Sequence, residues 1–173
     1  GNVVLDGNPA ISTGAGGRAV IYTGSIGGST GLAAKVGLGS GRFRYHSDES
    51  TTHFTTALGS GMHAIYRELP GTVTVRANDH GKIYDGQAYD GAGGVTITGL
   101  LHGDALSGNL SYTGGGIDVG TYTLMASGLG SGLGYAVDVA AGTLAITPRA
   151  VQVTASGQTK IYGDADPVLA FTV

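Results

Sequence analysis

The chain has no cysteine and no tryptophan, and only three phenylalanines and four prolines among its 173 residues. Without thiolates there is no disulfide framework and no thiolate zinc site, the devices with which many small secreted domains compensate for a thin core. Charge is scarce too: Asp, Glu, Lys and Arg make up 12% of the residues, with a formal net charge of −3. No basic stripe is present to neutralise phosphates, so nucleic acid is not an expected partner. No apolar run approaches the ~20 residues a helix needs to cross a bilayer, and no membrane insertion is expected. No signal peptide is visible. Gly1-Asn-Val-Val4 opens mid-pattern and Phe171-Thr-Val173 stops mid-repeat, which reads as a segment of a longer protein whose targeting signals lie elsewhere.

Glycine is what the chain has in excess: 34 residues, against a usual share of about 7%. It shows no collagen period and no accompanying proline. The glycines separate short runs of Val, Ile, Thr and Tyr, the pattern of a turn-rich β protein. The expected fold class is all-β.

One stretch organises the rest. Val73-Thr-Val-Arg-Ala-Asn-Asp-His-Gly-Lys-Ile-Tyr-Asp-Gly86 has a second copy at Val151-Gln-Val-Thr-Ala-Ser-Gly-Gln-Thr-Lys-Ile-Tyr-Gly-Asp164. The offset is constant, since 151 − 73, 160 − 82 and 162 − 84 all equal 78, and Pro70 and Pro148 share it. A repeat spanning a proline, a strand and a Lys-Ile-Tyr turn marks a modular chain.

Three segments follow. Residues 1–69 carry short apolar runs at Val3–Leu5, Ala10–Ser12, Ala19–Tyr22 and Leu32–Ala34, too short to hold a core as hairpins. They suit coils at the end of a β-solenoid, in which each coil borrows its apolar neighbours from the next. Phe43–Tyr45 and Met62–Arg67 read as further strands in a capping segment, and a helical turn is conceivable over 52–58. Residues 70–148 carry seven short strands at Thr72–Val75, Lys82–Tyr84, Val95–Thr98, Leu110–Tyr112, Gly120–Met125, Tyr135–Val139 and Gly142–Thr147, the count of a small β-sandwich. Residues 149–173 are expected to be the first strands of a second module, unable to hold a core alone.

Lys82-Ile-Tyr-Asp-Gly86 with Ala88-Tyr89, Leu106-Ser-Gly108 and Asp118-Val-Gly-Thr-Tyr-Thr123 resembles the YDG-type module of large bacterial surface proteins. Lys160-Ile-Tyr-Gly-Asp-Ala-Asp-Pro167 with Leu169 and Phe171 resembles the start of the related MBG-type module. Such modules are strung together in filamentous-haemagglutinin-like adhesins exported by two-partner secretion. The resemblance implies a stalk or spacer of a secreted adhesin on a Gram-negative cell surface, preceded by a long right-handed β-helix. It implies neighbouring modules as partners and no catalytic residues.

Possible chemistry is thin. His46, His53 and His63 lie close in sequence beside Asp48 and Glu49, but without tight ligand spacing, and surface or packing histidines are the simpler reading, as for His80 and His102. Asp85, Asp90, Asp104, Asp164 and Asp166 sit near glycine or proline. Calcium binding by such loop carboxylates is conceivable, with Asp164-Ala-Asp166 the best local pair, though turn chemistry is favoured. Ser127–Gly134 lacks the Lys-Ser/Thr ending of a phosphate loop, and Gly27-Gly-Ser-Thr-Gly31 lacks the helix a nucleophile elbow needs. A Lys–Asn or Lys–Asp isopeptide through Lys82 or Lys160, with Asn109 available, would show as an intact mass lower by one ammonia or water. Edge-strand lysines that block unwanted pairing are the preferred reading. No enzyme activity and no cofactor are expected. If the modules bind a host glycan or matrix, Tyr89, Tyr112, Tyr122 and Tyr135 are the candidate stacking residues, with core packing as the competing role.

Overall fold

Along Val73–Ala77 the side chains of Val73, Val75 and Ala77 are buried while Arg76 lies in water, the two-residue alternation of a strand with one covered face. The computed structural model describes all of residues 1–173. In chain order the elements are β1 (Arg18–Thr23), α1 (Leu32–Val36), β2 (Phe43–Arg44), β3 (Gly61–Tyr66), β4 (Val73–Ala77), β5 (His80–Ile83), β6 (Val95–Thr98), β7 (Ser107–Thr113), β8 (Gly120–Gly130), β9 (Val137–Ala140), β10 (Gly142–Thr147), β11 (Thr154–Ala155) and β12 (Phe171–Thr172). The protein is all-β apart from one short helix.

That helix corrects the expectation of a strand at Leu32–Ala34. Leu32 and Val36, four residues apart, point to the same side and are both buried. Ala33, Ala34 and Lys35 between them favour helix over strand. No helical turn forms over 52–58. The first sheet has the order β1-β3-β2, with all strands parallel, and Ala64 of β3 lies between Ile21 and Phe43. Parallel pairing across long connections is the feature expected of solenoid coils. The middle place is taken by β3, the last of the three in sequence. Val4 adds an isolated parallel bridge to Thr30.

All seven strands expected over 70–148 form. They make two sheets, β5-β10-β8-β7 and β6-β4-β9, that face each other. Between them lie Val75 and Ala77 from one side and Leu124, Ala126, Leu144 and Ile146 from the other. Two pairings are parallel, β4 with β9 and β5 with β10. Asn78-Asp79 carries the chain from β4 to β5, and Ala141 alone carries it from β9 to β10, so both pairs step from one sheet to the other together. Gly142 makes the second step possible, because a Cβ there would run into the Ala77 carbonyl.

The two copies of the repeat do not share a conformation. In the first, β4 is hydrogen-bonded on both sides, to β6 and β9. In the second, only Thr154–Ala155 forms a strand, paired with Phe171–Thr172. The segment 150–173 is exposed at every residue except Pro167. The reason is pairing. The strand equivalent to β6 would begin only at Val173 by the seventy-eight-residue offset, and those equivalent to β9 and β10 would lie further on, so the second copy is paired along one edge only, over two residues.

A segment that buries almost nothing adds little to the stability of what precedes it. Trypsin is expected to cut at the exposed Arg149 first, and the trimmed chain should keep the thermal midpoint of the whole one. A clear drop in that midpoint on trimming would contradict this assignment.

A buried tyrosine–aspartate joint as the candidate functional site

The second core of the protein does not respect the boundary between residues 1–69 and the sandwich. Leu32, Val36, Phe43, Tyr45, Met62, Ala64 and Tyr66 come from the first segment; Val73, Leu133 and Tyr135 come from the sandwich. All ten are buried in one cluster. The backbone crosses the same boundary. Tyr45 N–H donates to Leu133 O at 2.9 Å, Gly39 N–H to His102 O at 2.8 Å, and the N–H groups of Thr55 and Thr56 to Gly132 O at 3.0 Å. Gly134 permits this closeness, since a Cβ on it would strike the Tyr45 carbonyl.

At the centre lies Asp104, buried in the loop between β6 and β7. Its Oδ2 accepts the Tyr45 hydroxyl at 2.7 Å and the Tyr135 hydroxyl at 2.9 Å. Tyr135 Oη in turn accepts Leu101 N–H at 3.0 Å. Tyr45 Oη also lies 2.8 Å from His102 Nδ1. A phenol has one proton, and Tyr45 gives it to Asp104, so the His102 Nδ1 must carry the proton of that bond. Asp104 Oδ1 is buried without a partner, beside a cavity of about 230 Å³ lined by Thr56, Ser107 and neighbouring glycines. The rings close the site. His102 stacks on Phe43 at 4.2 Å, and Tyr45 meets Tyr135 at 4.5 Å and Tyr66 at 5.7 Å.

Burial, reinforced by the carboxylate and the neighbouring phenol, drives the Tyr45 hydroxyl far above its usual range. Burial likewise pushes Tyr135 up to about 12. The same desolvation holds the His102 and His63 imidazoles below their ordinary value. His102 has a left-handed backbone, φ 52°, which is uncommon for a residue other than glycine. Beside the joint, the fully buried Arg44 donates to the carbonyls of Gly41 and Phe43 at 2.7 Å and of Thr56 and Ala57 at 3.2 and 3.3 Å, with Phe54 beneath it. One guanidinium thus fastens the loop ahead of β3 to β2.

The four candidate tyrosines do not form one platform. Tyr135 is in the joint. Tyr89 and Tyr112 meet edge to face at 5.6 Å against the sandwich core, and Tyr122 donates to Asp118 O. Tyr89 is covered on another side by His80 at 5.6 Å and has its hydroxyl occupied by Gly93 N–H. Asp85 and Asp90 each accept a backbone N–H two residues on, the turn chemistry expected of them. Asp104 departs from that expectation, because both tyrosine hydroxyls converge on it. Asp166 pairs with Lys160 at 2.7 Å, and Asp164 N–H closes the turn onto Ile161 O. Lys82 lies on an edge strand as expected but folds back onto its own turn, 2.7 Å from Asp85 and 2.9 Å from Gln87 O. His46 and His53 stack at 4.0 Å, while His63 is buried in β3. Sequence reasoning missed Arg44 and Tyr45 as site residues, and it named Asp104 only as a turn or calcium candidate. The available signal for Asp104 was its apolar setting, Leu100-Leu-His-Gly-Asp-Ala-Leu106.

Residues 73–145, from the first residue of β4 into β10, match the family model of the MBG domain (YGX type). The match supports a YDG/MBG-type module over the sandwich. The first copy of the repeat, expected to be of the YDG type, itself falls within the MBG match. No curated protein and no solved structure matches the chain. No helix is long and apolar enough to cross a membrane.

Two outcomes test the joint. Tyr45→Phe removes one charge-assisted hydrogen bond from a buried carboxylate and is expected to cost about 2 kcal/mol; Asp104→Asn should cost a similar amount. The double variant should lose less than the sum in urea denaturation, because the two groups act on each other. The pH dependence has a definite sign. An unfolded histidine takes up its proton near pH 6.5, while the folded His102 and His63 resist it, so stability is full above that pH and declines as the pH falls below it. Thermal midpoints at pH 7.5 and 5.5 should show this decline, and His102→Asn should flatten it.

Proposed function

We propose that the chain is a structural stalk or spacer segment of a secreted bacterial surface adhesin, of the filamentous-haemagglutinin-like type exported by two-partner secretion from a Gram-negative cell. In this reading residues 1–69 end a solenoid shaft, residues 70–148 are the first sandwich module, and the segment performs no catalysis. The observation that carries it is the shared core. A spacer transmits force and holds distance, and here the segment before β4 and the sandwich after it are one packed body, closed by a buried carboxylate between two phenols. The MBG match over 73–145 supports the adhesin-type setting.

The competing reading is a glycan- or matrix-binding module. Its best seat is a cleft of about 440 Å³ lined by His80, Lys82, Asp85, Gln87, Tyr89 and Asp90. The cleft mixes polar side chains with Ala88 and Ala92, and its tyrosine is covered by Tyr112 and His80, which leaves little free aromatic face for a sugar ring.

Single-molecule pulling between Gly1 and Arg149 separates the readings. A spacer should show residues 18–147 giving way in one event, and a glycan array probed with the same chain should stay blank. Separate unfolding of 1–69 and 70–148 would sink the spacer reading, and reproducible glycan binding lost in Lys82→Ala would establish the alternative.

A further inference from the structure

We propose that the end of the sandwich opposite the joint is a docking face for the module that begins at Val151, so that consecutive modules lock end to end rather than swing on a linker. Thr147, the last residue of β10, pairs with Ile83 on one side, and Tyr84 N–H donates to Thr147 O. On the other side Ile146 pairs with Gly120, which puts Val119 opposite Thr147. Ile83, Tyr84 and Val119 therefore gather around the point where the chain leaves the sandwich, with Ile117 two residues further on. All four are solvent-exposed, Ile83 by 62% and Val119 by 50%. They belong to neither buried core.

The repeat says what should cover them. Pro148 and Val151 are the counterparts of Pro70 and Val73 by the seventy-eight-residue offset. At the first junction Pro70 and Val73 are both buried, Val73 in the cluster that binds the sandwich to the segment before it. At the second junction Pro148 is exposed and Val151 is 67% exposed. The same junction residues thus stand without the wall that buries them in the first copy. The tether is short. Only Pro148-Arg149-Ala150 separate Thr147 from Val151, a reach of at most ~14 Å for a fully extended chain. A module opening at Val151 must sit against this end, and four exposed apolar side chains await it there. The first module shows the matching surface: its own leading end, with Val73, Leu133, Tyr135 and the partly buried Leu100, Leu101 and Leu106, is apolar and fully used as an interface.

The occupant is therefore a second sandwich of the same kind, seated by its leading end. This deepens the spacer reading and rests on it for its biological use, since a stalk of locked modules keeps its length. The contact itself rests on register and exposure alone.

The test places a second copy of residues 73–148 behind the native Ala150 of the chain, in the place of 151–173. Fluorophores on the two sandwiches should report a narrow distance distribution, and the amides of Ile83, Tyr84 and Val119 should gain protection from exchange relative to the 173-residue chain. Ile83→Ser with Val119→Ser should broaden the distribution and abolish the gain while leaving the melting of the first module unchanged. A broad distribution in the parent tandem, or no effect of the double substitution, overturns the proposal. So does a second copy that stays unfolded beside an intact first one, because the exposed end is proposed as its missing wall. None of these outcomes depends on one-event unfolding of 18–147 or on glycan binding, so a swinging joint would leave the spacer test standing.

Discussion

A carboxylate taken out of water has to be held by donors, and Asp104 is held by two phenols that arrive from different parts of the chain. Tyr45 follows β2, in the segment before the sandwich; Tyr135 leads into β9, within it. Tyr135 holds Asp104 within the sandwich, and Tyr45 ties the preceding segment to the same oxygen, so separating the two halves breaks a buried hydrogen bond to the carboxylate. The aromatic stack of Phe43, His102, Tyr66 and Tyr45 surrounds that contact with apolar surface and keeps water from competing. Hydrogen bonds to an ionised acceptor in such a setting are among the stronger single contacts a small protein makes.

Much else follows from the joint. The sandwich itself has a slender core of six fully buried residues, three of them Val or Ala. It is not left to stand alone, since its leading end is covered by a second cluster that it shares with β2, β3 and α1. Arg44 serves the same end from the other side. Its guanidinium satisfies four carbonyls, Gly41 and Phe43 at β2 and Thr56 and Ala57 in the irregular loop ahead of β3, so that loop packs under the joint with these two carbonyls paired. The scarcity of charge in the sequence fits this economy. Few charges are present, and two of those few are buried where they organise backbone and phenols.

How the chain exits the module shows the opposite situation. The copy of the opening strand at Val151 has the same alternation as Val73–Ala77 and the same Lys-Ile-Tyr turn, yet it remains almost wholly exposed. Alternation gives a strand a face to bury, but only neighbouring strands and a facing sheet can bury it. The contrast between the two copies, identical in pattern and different in partners, separates local preference from tertiary support within one molecule.

What could be read from the residues alone was whatever depends on near neighbours. The seven strands of the sandwich were legible because β-branched and aromatic residues alternate between glycine turns, and the repeat was legible because its spacing is constant. Asp85 and Asp90 were legible as turn residues, since an aspartate reaches its own backbone two residues on. Leu32–Val36 was misjudged because five residues are too few for a helical period to show against short apolar runs, and its contact with the core decided the matter. The parallel pairings of β4 with β9 and β5 with β10, and the meeting of Tyr45, Asp104 and Tyr135, join residues 31 to 64 positions apart. No local pattern encodes such contacts. They exist because closing those long loops is repaid only when the whole core assembles, and that is a property of the folded chain rather than of any stretch within it.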